Sequence, residues 1–329
     1  MKIEKHIIAP FKSGDRVCFI GDSITANSLW VAHINEYYAR YTDINVSIVP
    51  CGVSGGSCTS ALDYFDEQTA VWNPNVAVIM LGMNDVWRDN YRPDMTDENK
   101  RLAETALKIY SEKLPELTDK IRSSGVQRII YLAPTPYDEE QDCEEFSYVG
   151  TFGALRKCAD MMKDLAEKTG GEFYDFGGEF VNILHELYTM GSSAKLVGGD
   201  RVHPTDLGHV VMARLFLAAQ GFTELAPTAT LVENGSADLK LSDEGNRYLT
   251  LVREIEDRWT TEWLIARSSP DQTLEGRLAY AERYPDEEHP GEPDWFSDLA
   301  RRYRSLVEND GAKREELKEL ISKMFGSGK

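Results

Sequence analysis

Residues 17–25 read Val17-Cys18-Phe19-Ile20-Gly21-Asp22-Ser23-Ile24-Thr25, an apolar run followed by a short polar turn. The pattern predicts a buried strand that ends in a turn at Gly21. A serine directly after a strand is a candidate nucleophile, but a lone hydroxyl attacks esters slowly and needs a base and oxyanion donors. The alternative is a plain turn in which Asp22 and Ser23 cap the next helix. The choice depends on partners elsewhere in the chain.

Five apolar runs alternate with helical patterns along the first two-thirds of the chain. We expect strands at 17–20, 44–49, 76–81, 128–133 and 172–175, with helices that include 99–124 and 152–168. Alternating strands and helices predict an α/β fold in which both faces of a parallel sheet are covered, a three-layer sandwich.

A candidate base and its partner lie near the end of this pattern. Asp200 and His203 stand on a short loop before an amphipathic helix, for which Pro204 suits the first turn and Gly221 the C-cap. A carboxylate three residues before an imidazole can accept from one ring nitrogen and leave the other free to take a proton from serine. The alternative is that both residues only cap the helix.

Two further segments offer donors for an oxyanion. Asn84 follows the run at 76–81, and a glycine-containing loop at 50–56 follows the run at 44–49. Because ligands bind at the carboxyl ends of strands in open α/β sheets, both segments are expected beside Ser23. Each could instead be an ordinary turn.

The four segments in this order resemble the SGNH branch of the GDSL hydrolases, and most of all its carbohydrate acetylesterases. The resemblance implies a flavodoxin-like sheet, Ser23 as nucleophile, His203 as general base and Asp200 orienting it. It also implies an oxyanion hole formed by the Ser23 N–H, a Gly55 N–H and the Asn84 side chain. The family's second segment usually opens with Asn where this chain has Pro50, so Gly52 is the alternative to Gly55.

Three further residues are candidates for the substrate pocket. Asp22 adjoins the nucleophile, while Trp87 and Tyr137 follow strand ends at the same predicted edge. The two aromatic side chains would line the pocket or pack on the scaffold.

The resemblance covers 1–224, which we expect to be the catalytic domain, and leaves 225–329 as a mostly helical extension. Apolar residues recur there at helical spacing in two stripes, Tyr248, Val252, Ile255, Trp259 and Trp263, then Trp295, Leu299, Tyr303 and Leu306. Such stripes must be buried, against the catalytic domain or a second subunit, and an aromatic lid over the site is a further alternative. We therefore consider a homo-oligomer through these helices.

Composition limits the partners. A net charge of −19 disfavours nucleic acids and anionic membrane surfaces. No apolar run has transmembrane length, and the first residues show neither a signal peptide nor a lipid anchor, so we expect a cytoplasmic protein. Five cysteines fit reduced thiols, and the histidines lack zinc-site spacing. We expect no metal and no cofactor.

The sequence as a whole predicts a serine esterase that works through an acyl-enzyme. The resemblance favours short O-acetyl groups on carbohydrates, with an acetylated sugar as the small-molecule substrate. The alternative within this class is a lysophospholipase or thioesterase acting on longer acyl chains. The alternative in another class is a non-catalytic binding or assembly protein.

Overall fold

A five-stranded parallel sheet forms the centre of the fold. The structure, a computed structural model, describes residues 6–142, 146–268, 279 and 294–326. The strands are β1 (Arg16–Gly21), β2 (Ser47–Gly52), β3 (Val76–Met80), β4 (Arg128–Leu132) and β5 (Glu172–Tyr174), in the order β2-β1-β3-β4-β5. The predicted α/β sandwich is confirmed.

Helices cover both faces of this sheet and form the extension. They are α1 (Ser23–Ala26), α2 (Leu29–Tyr41), α3 (Cys58–Tyr64), α4 (Asp97–Ser123), α5 (Thr151–Thr169), α6 (Phe176–Thr189), α7 (Asp206–Ala219), α8 (Ala229–Glu233), α9 (Asp243–Ser268) and α10 (Asp294–Gly326). One core cluster unites the sheet with α2, α6 and α7, and a second unites it with α3, α4 and α5.

The second strand lies three residues later than expected. We predicted it at 44–49, but β2 runs from Ser47 to Gly52 and contains Pro50. Proline cannot donate a hydrogen bond to a ladder, so it normally ends a central strand. Because β2 is the edge strand and pairs only with β1, the missing donor costs no ladder bond there. Gly52 consequently belongs to the strand and not to the following loop.

The first part of the first predicted stripe packs on the sheet, whereas Trp259 and Trp263 pack with Val53 and Tyr64. Tyr248, Val252 and Ile255 on α9 are buried in a cluster with the β1 and β2 residues Cys18 and Cys51. The Tyr248 hydroxyl donates to the carbonyl of Ile48 in β2 at 2.8 Å. Helix α9 thus covers an otherwise open sheet edge.

The second stripe is partly described. Tyr303 on α10 is buried beside Ile265, with Leu299 packed against them, and Leu306 is partly buried. The side chain of Trp295 lies outside the described residues, as does Cys143. The other four cysteines are buried free thiols.

The boundary after residue 224 stays a prediction. Ala229 and Val232 of α8 lie in the same core cluster as the sheet. Within the described residues, no helix combines the length and apolarity needed to cross a bilayer.

Two helix histidines are buried without contacting Ser23. Burial lowers the pKa of His209 on α7 to about 3 and that of His33 on α2 to about 4. The unfolded chain therefore binds protons at pH values where the folded chain does not, and each histidine reduces stability as the pH falls below 6.5.

Replacing His209 with glutamine should remove one group whose protonation on unfolding destabilises the folded chain at low pH. Between pH 7 and pH 5, the stability of the wild type relative to H209Q should fall by about 2 kcal/mol, because the variant has no imidazole to protonate on unfolding. Urea denaturation at several pH values measures this difference. The exposed His185→Gln is the control, and a pH-independent difference for H209Q would contradict the assignment.

Candidate active site

The nucleophile candidate stands at a tight connection between β1 and α1. Ser23 is the first residue of α1, and the Asp22 side chain caps that helix by accepting from the Ile24 N–H at 3.0 Å. A Cβ atom at Gly21 would lie 2.2 Å from the Thr25 hydroxyl, so the turn needs glycine there. Capping by Asp22 and exposure of the Ser23 hydroxyl are therefore compatible features of one turn.

The structure brings Ser23, His203 and Asp200 together. Ser23 Oγ lies 2.7 Å from His203 Nε2, although the two residues are 180 positions apart. His203 Nδ1 is hydrogen-bonded to Asp200 Oδ2. A neutral imidazole held in this way can accept the serine proton on Nε2.

Asp200 is held in its ionised form. Its Oδ1 accepts from the backbone N–H groups of Val202 and His203, both at 3.0 Å. Burial raises the pKa of Asp200, but the hydrogen bonds from the His203 side chain and from the two backbone groups outweigh burial and lower the pKa below its usual value. The carboxylate therefore stays charged beside the His203 ring.

The helix after His203 begins later than predicted. Thr205 is the N-cap of α7 and accepts from the Gly208 N–H at 3.1 Å, so Pro204 lies before the helix and not in its first turn. Pro204 instead forms a β-bridge with Val197. The prediction was wrong because a threonine hydroxyl is a better N-cap than any group that His203 offers. Gly221, with φ of +95°, does follow the end of α7 as predicted.

Arg201 anchors the Asp200–His203 loop and was missed by the sequence analysis. Its φ is +65°, a left-handed conformation that costs free energy for any residue with a side chain. The side chain is buried, and Nη1 donates to the carbonyls of Asp138 and Gln141 at 3.1 and 2.8 Å. The Asp138 N–H donates back to the Arg201 carbonyl at 2.9 Å. A buried guanidinium thus fixes the loop to the segment after β4.

The proposed oxyanion donors lie on two adjacent loops. Asn84 Nδ2 donates to the Gly56 carbonyl at 2.9 Å, which leaves the amide its second N–H. Gly55 stands in the loop after β2 with φ of +73°, whereas Gly52 is the last residue of β2 and pairs with Gly21. This placement favours Gly55 as the loop donor.

Helix α9 contacts this oxyanion loop. A Cβ atom at Gly55 would lie 2.2 Å from the Trp263 ring, and Thr260 Oγ1 is 3.2 Å from Ser54 Oγ. Residue 55 therefore has to be glycine both for its dihedral angle and for its contact with Trp263. The extension therefore packs against the loop after β2.

Buried carboxyls lie behind the nucleophile turn. Asp22 is 3% exposed, and burial raises its pKa to about 6. Asp85 is also buried, with a pKa raised to about 7, and accepts from the Cys58 N–H at 2.9 Å. Asp22 thus stabilises the turn between β1 and α1, and Asp85 connects the loop that carries Asn84 to α3.

The two aromatic pocket candidates occupy different environments. Tyr137 is 3% exposed; its hydroxyl donates to the Phe146 carbonyl and accepts from the Tyr148 N–H. Trp87 is 40% exposed. Tyr137 therefore packs in the scaffold, and a pocket role for Trp87 stays a prediction.

A cavity of about 730 Å³ opens beside Ser23. The α1 turn and Ser54 form one side, and α9 forms the other. Its volume is in the range of pockets that hold drug-sized ligands.

Comparison with known proteins is consistent with this geometry. Residues 19–211 match the model of the GDSL-like lipase/acylhydrolase family. An acetylxylan esterase of Geobacillus stearothermophilus is 29% identical over an alignment of 231 positions, and the match covers 64% of this chain and 95% of that protein.

Solved structures agree with the fold. The Geobacillus stearothermophilus acetylxylan esterase Axe2 is 26% identical, with a TM-score of 0.51, and the match covers 64% of this chain and 96% of that one. Three Axe2 structures are described as catalytic mutants, with a serine, an aspartate and a histidine each replaced by alanine. BT4096, described as a gut microbial diltiazem-metabolizing enzyme, covers 98% of this chain and 96% of its own at 20% identity and a TM-score of 0.75.

The family match spans more than half of the chain and includes Ser23, Asn84, Asp200 and His203. The chain is therefore an ester-hydrolysing enzyme and belongs to the GDSL-like lipase/acylhydrolase family.

Proposed function

We propose that the chain is a serine acetylesterase that removes O-acetyl groups from carbohydrates through an acyl-enzyme. The observation that carries the proposal is the 2.7 Å contact of Ser23 Oγ with His203 Nε2, together with the Asp200 carboxylate on the opposite ring nitrogen. Hydrogen bonds connect the nucleophile Ser23 to the base His203, and His203 to the orienting Asp200.

The reaction begins when Ser23 Oγ attacks the ester carbonyl and His203 Nε2 takes its proton. In the tetrahedral intermediate, the negatively charged oxygen accepts hydrogen bonds from the Ser23 N–H, the Gly55 N–H and the second N–H of the Asn84 amide. Such preorganised donors stabilise charge that develops only on the way to the intermediate. His203 then returns the proton to the leaving alcohol, and an acyl group remains on Ser23.

Deacylation repeats these steps with water as the nucleophile. His203 takes a proton from the water as it attacks the acyl carbonyl, and the acid leaves when Ser23 recovers its proton. Asp200 stays ionised throughout and stabilises the imidazolium in both halves of the reaction.

The relatives support the choice of acyl group and alcohol. A curated relative and the Axe2 structures are acetylxylan esterases, so acetyl on a sugar is the substrate class we propose. In Axe2 the replaced aspartate and histidine stand three positions apart, as Asp200 and His203 do here.

Removing the nucleophile tests the mechanism directly. Ser23→Ala should lower kcat on an acetyl ester by about 10³-fold or more. Because one half-buried hydroxyl is lost, the free energy of unfolding should change by about 1 kcal/mol or less. A fluorophosphonate probe should label the wild type and not the variant. Equal activity in S23A, or labelling at another residue, would exclude Ser23 as nucleophile.

The acyl preference separates acetylesterase from the longer-chain alternatives. With 4-nitrophenyl esters of increasing chain length, kcat/KM should be highest for acetate and fall by about tenfold or more at octanoate, since each misfitted methylene carries a measurable cost. Steady-state rates across the series measure this preference. An optimum at eight carbons or longer would favour the lysophospholipase or thioesterase reading.

Loss of the Arg201 side-chain contacts should impair catalysis indirectly, through the position of the Asp200–His203 loop. Arg201→Met removes the two carbonyl contacts, lets the Asp200–His203 loop shift and should lower kcat by about 10- to 100-fold, because small misplacements of catalytic groups are costly. KM should change little. Arg201→Lys should restore part of the rate, since it keeps one charged donor. An R201M enzyme that is less stable but has the wild-type kcat would show a purely structural role.

A further inference from the structure

The cavity beside Ser23 has one wall that the family match does not include. Asn27 and Ser54 line it on the nucleophile side, while Thr250, Arg253 and Thr260 line it from α9. Helix α9 begins at Asp243, beyond residues 19–211. The residues within the family match therefore do not explain what this wall of the cavity does.

Arg253 joins the α9 wall to the nucleophile turn. Its Nε donates to the Asn27 carbonyl at 2.8 Å, and its Nη2 donates to Asn27 Oδ1 at 3.0 Å. Asn27 is the C-cap of the helix that Ser23 begins, so the guanidinium is fixed one turn from the nucleophile. A guanidinium has more N–H groups than these bonds use, so Arg253 can also donate to a ligand in the cavity.

The charges on this wall suit a neutral ligand. Glu254 and Asp257 also line the cavity, but each is paired with a cation of α10: Glu254 with Lys313 at 3.4 Å and Asp257 with Arg302 at 2.5 Å. The third carboxyl of the lining, Glu256, is buried, and burial raises its pKa well above the usual value. The wall therefore presents hydrogen-bonding groups whose formal charges are largely balanced. Threonine hydroxyls and amide groups among them match hydroxyl-rich molecules.

The cavity is too large for the acyl group alone. An acetyl group is a few atoms in size, whereas pockets of about 300–1,000 Å³ hold drug-sized molecules. When a sugar acetate binds at Ser23, the alcohol part of the ester is the sugar, which is larger than the acetyl group. The volume and the hydrogen-bonding residues of the lining thus both correspond to the leaving alcohol.

We propose that α9 forms the alcohol subsite of this enzyme, where a neutral polyhydroxylated alcohol of sugar size lies between the Ser23–Asn27 turn and Thr250 and Arg253. This inference rests on the proposed carbohydrate esterase function. It makes the C-terminal extension part of substrate recognition, with Arg253 and Thr250 as specificity-determining residues.

The test compares two esters that share the acetyl group and differ in the alcohol, acetylated xylobiose and methyl acetate. Thr250→Trp should fill the subsite and lower kcat/KM on acetylated xylobiose by about tenfold or more, with methyl acetate changed by about twofold at most. Arg253→Met should raise KM for acetylated xylobiose by more than it raises KM for methyl acetate. The second variant keeps the test valid if the tryptophan disturbs folding.

The matched control is Thr105→Trp on α4. Thr105 is exposed, and its hydroxyl bonds the carbonyl four residues earlier, as Thr250 does. T105W should leave the ratio of the two kcat/KM values unchanged. An equal loss on both esters in T250W, or no loss on either, would overturn the alcohol subsite while leaving the esterase function intact.

Product binding separates this inference from the proposed function. Calorimetry should show that xylobiose binds the wild type and T105W, and that binding is weakened in T250W. Binding by a protein that hydrolyses no ester would refute the esterase function and support the subsite. Absence of xylobiose binding in an active esterase would refute the subsite.

Discussion

The hydrogen bond between Ser23 and His203 is the interaction on which the proposed mechanism depends. It joins the end of the first strand to a loop just before α7, across 180 positions of chain. A parallel sheet makes such a contact possible because the carboxyl ends of its strands open on one edge. The sheet brings the segments together, and local hydrogen bonds set the final distance.

The loop that carries His203 is held by compensating interactions. Arg201 adopts a left-handed conformation at a free-energy cost, and its buried guanidinium bonds carbonyls after β4. Asp200 accepts from two backbone N–H groups as well as from the imidazole. These interactions hold the loop and restrict the motion of the imidazole. Such preorganisation reduces the entropy that is lost on reaching the transition state.

The C-terminal extension is integrated with the catalytic core. Tyr248 and its neighbours on α9 cover the edge strand, while Trp263 lies against Gly55 in the loop after β2. A buried ion pair of Arg258 with Asp310 joins α9 to α10. One helix therefore contacts the sheet edge, the loop after β2 and the cavity beside Ser23.

The amino-acid sequence predicted the α/β class, the number of strands and the segments that carry Ser23, Asn84, Asp200 and His203, because hydrophobic periodicity and short motifs are local properties. It placed β2 too early, since only the sheet order shows that Pro50 lies on an edge. Tertiary structure decided the anchoring by Arg201 and the position of α9 beside the nucleophile. Those features depend on contacts between segments far apart in the chain, and no local pattern encodes which surfaces will meet.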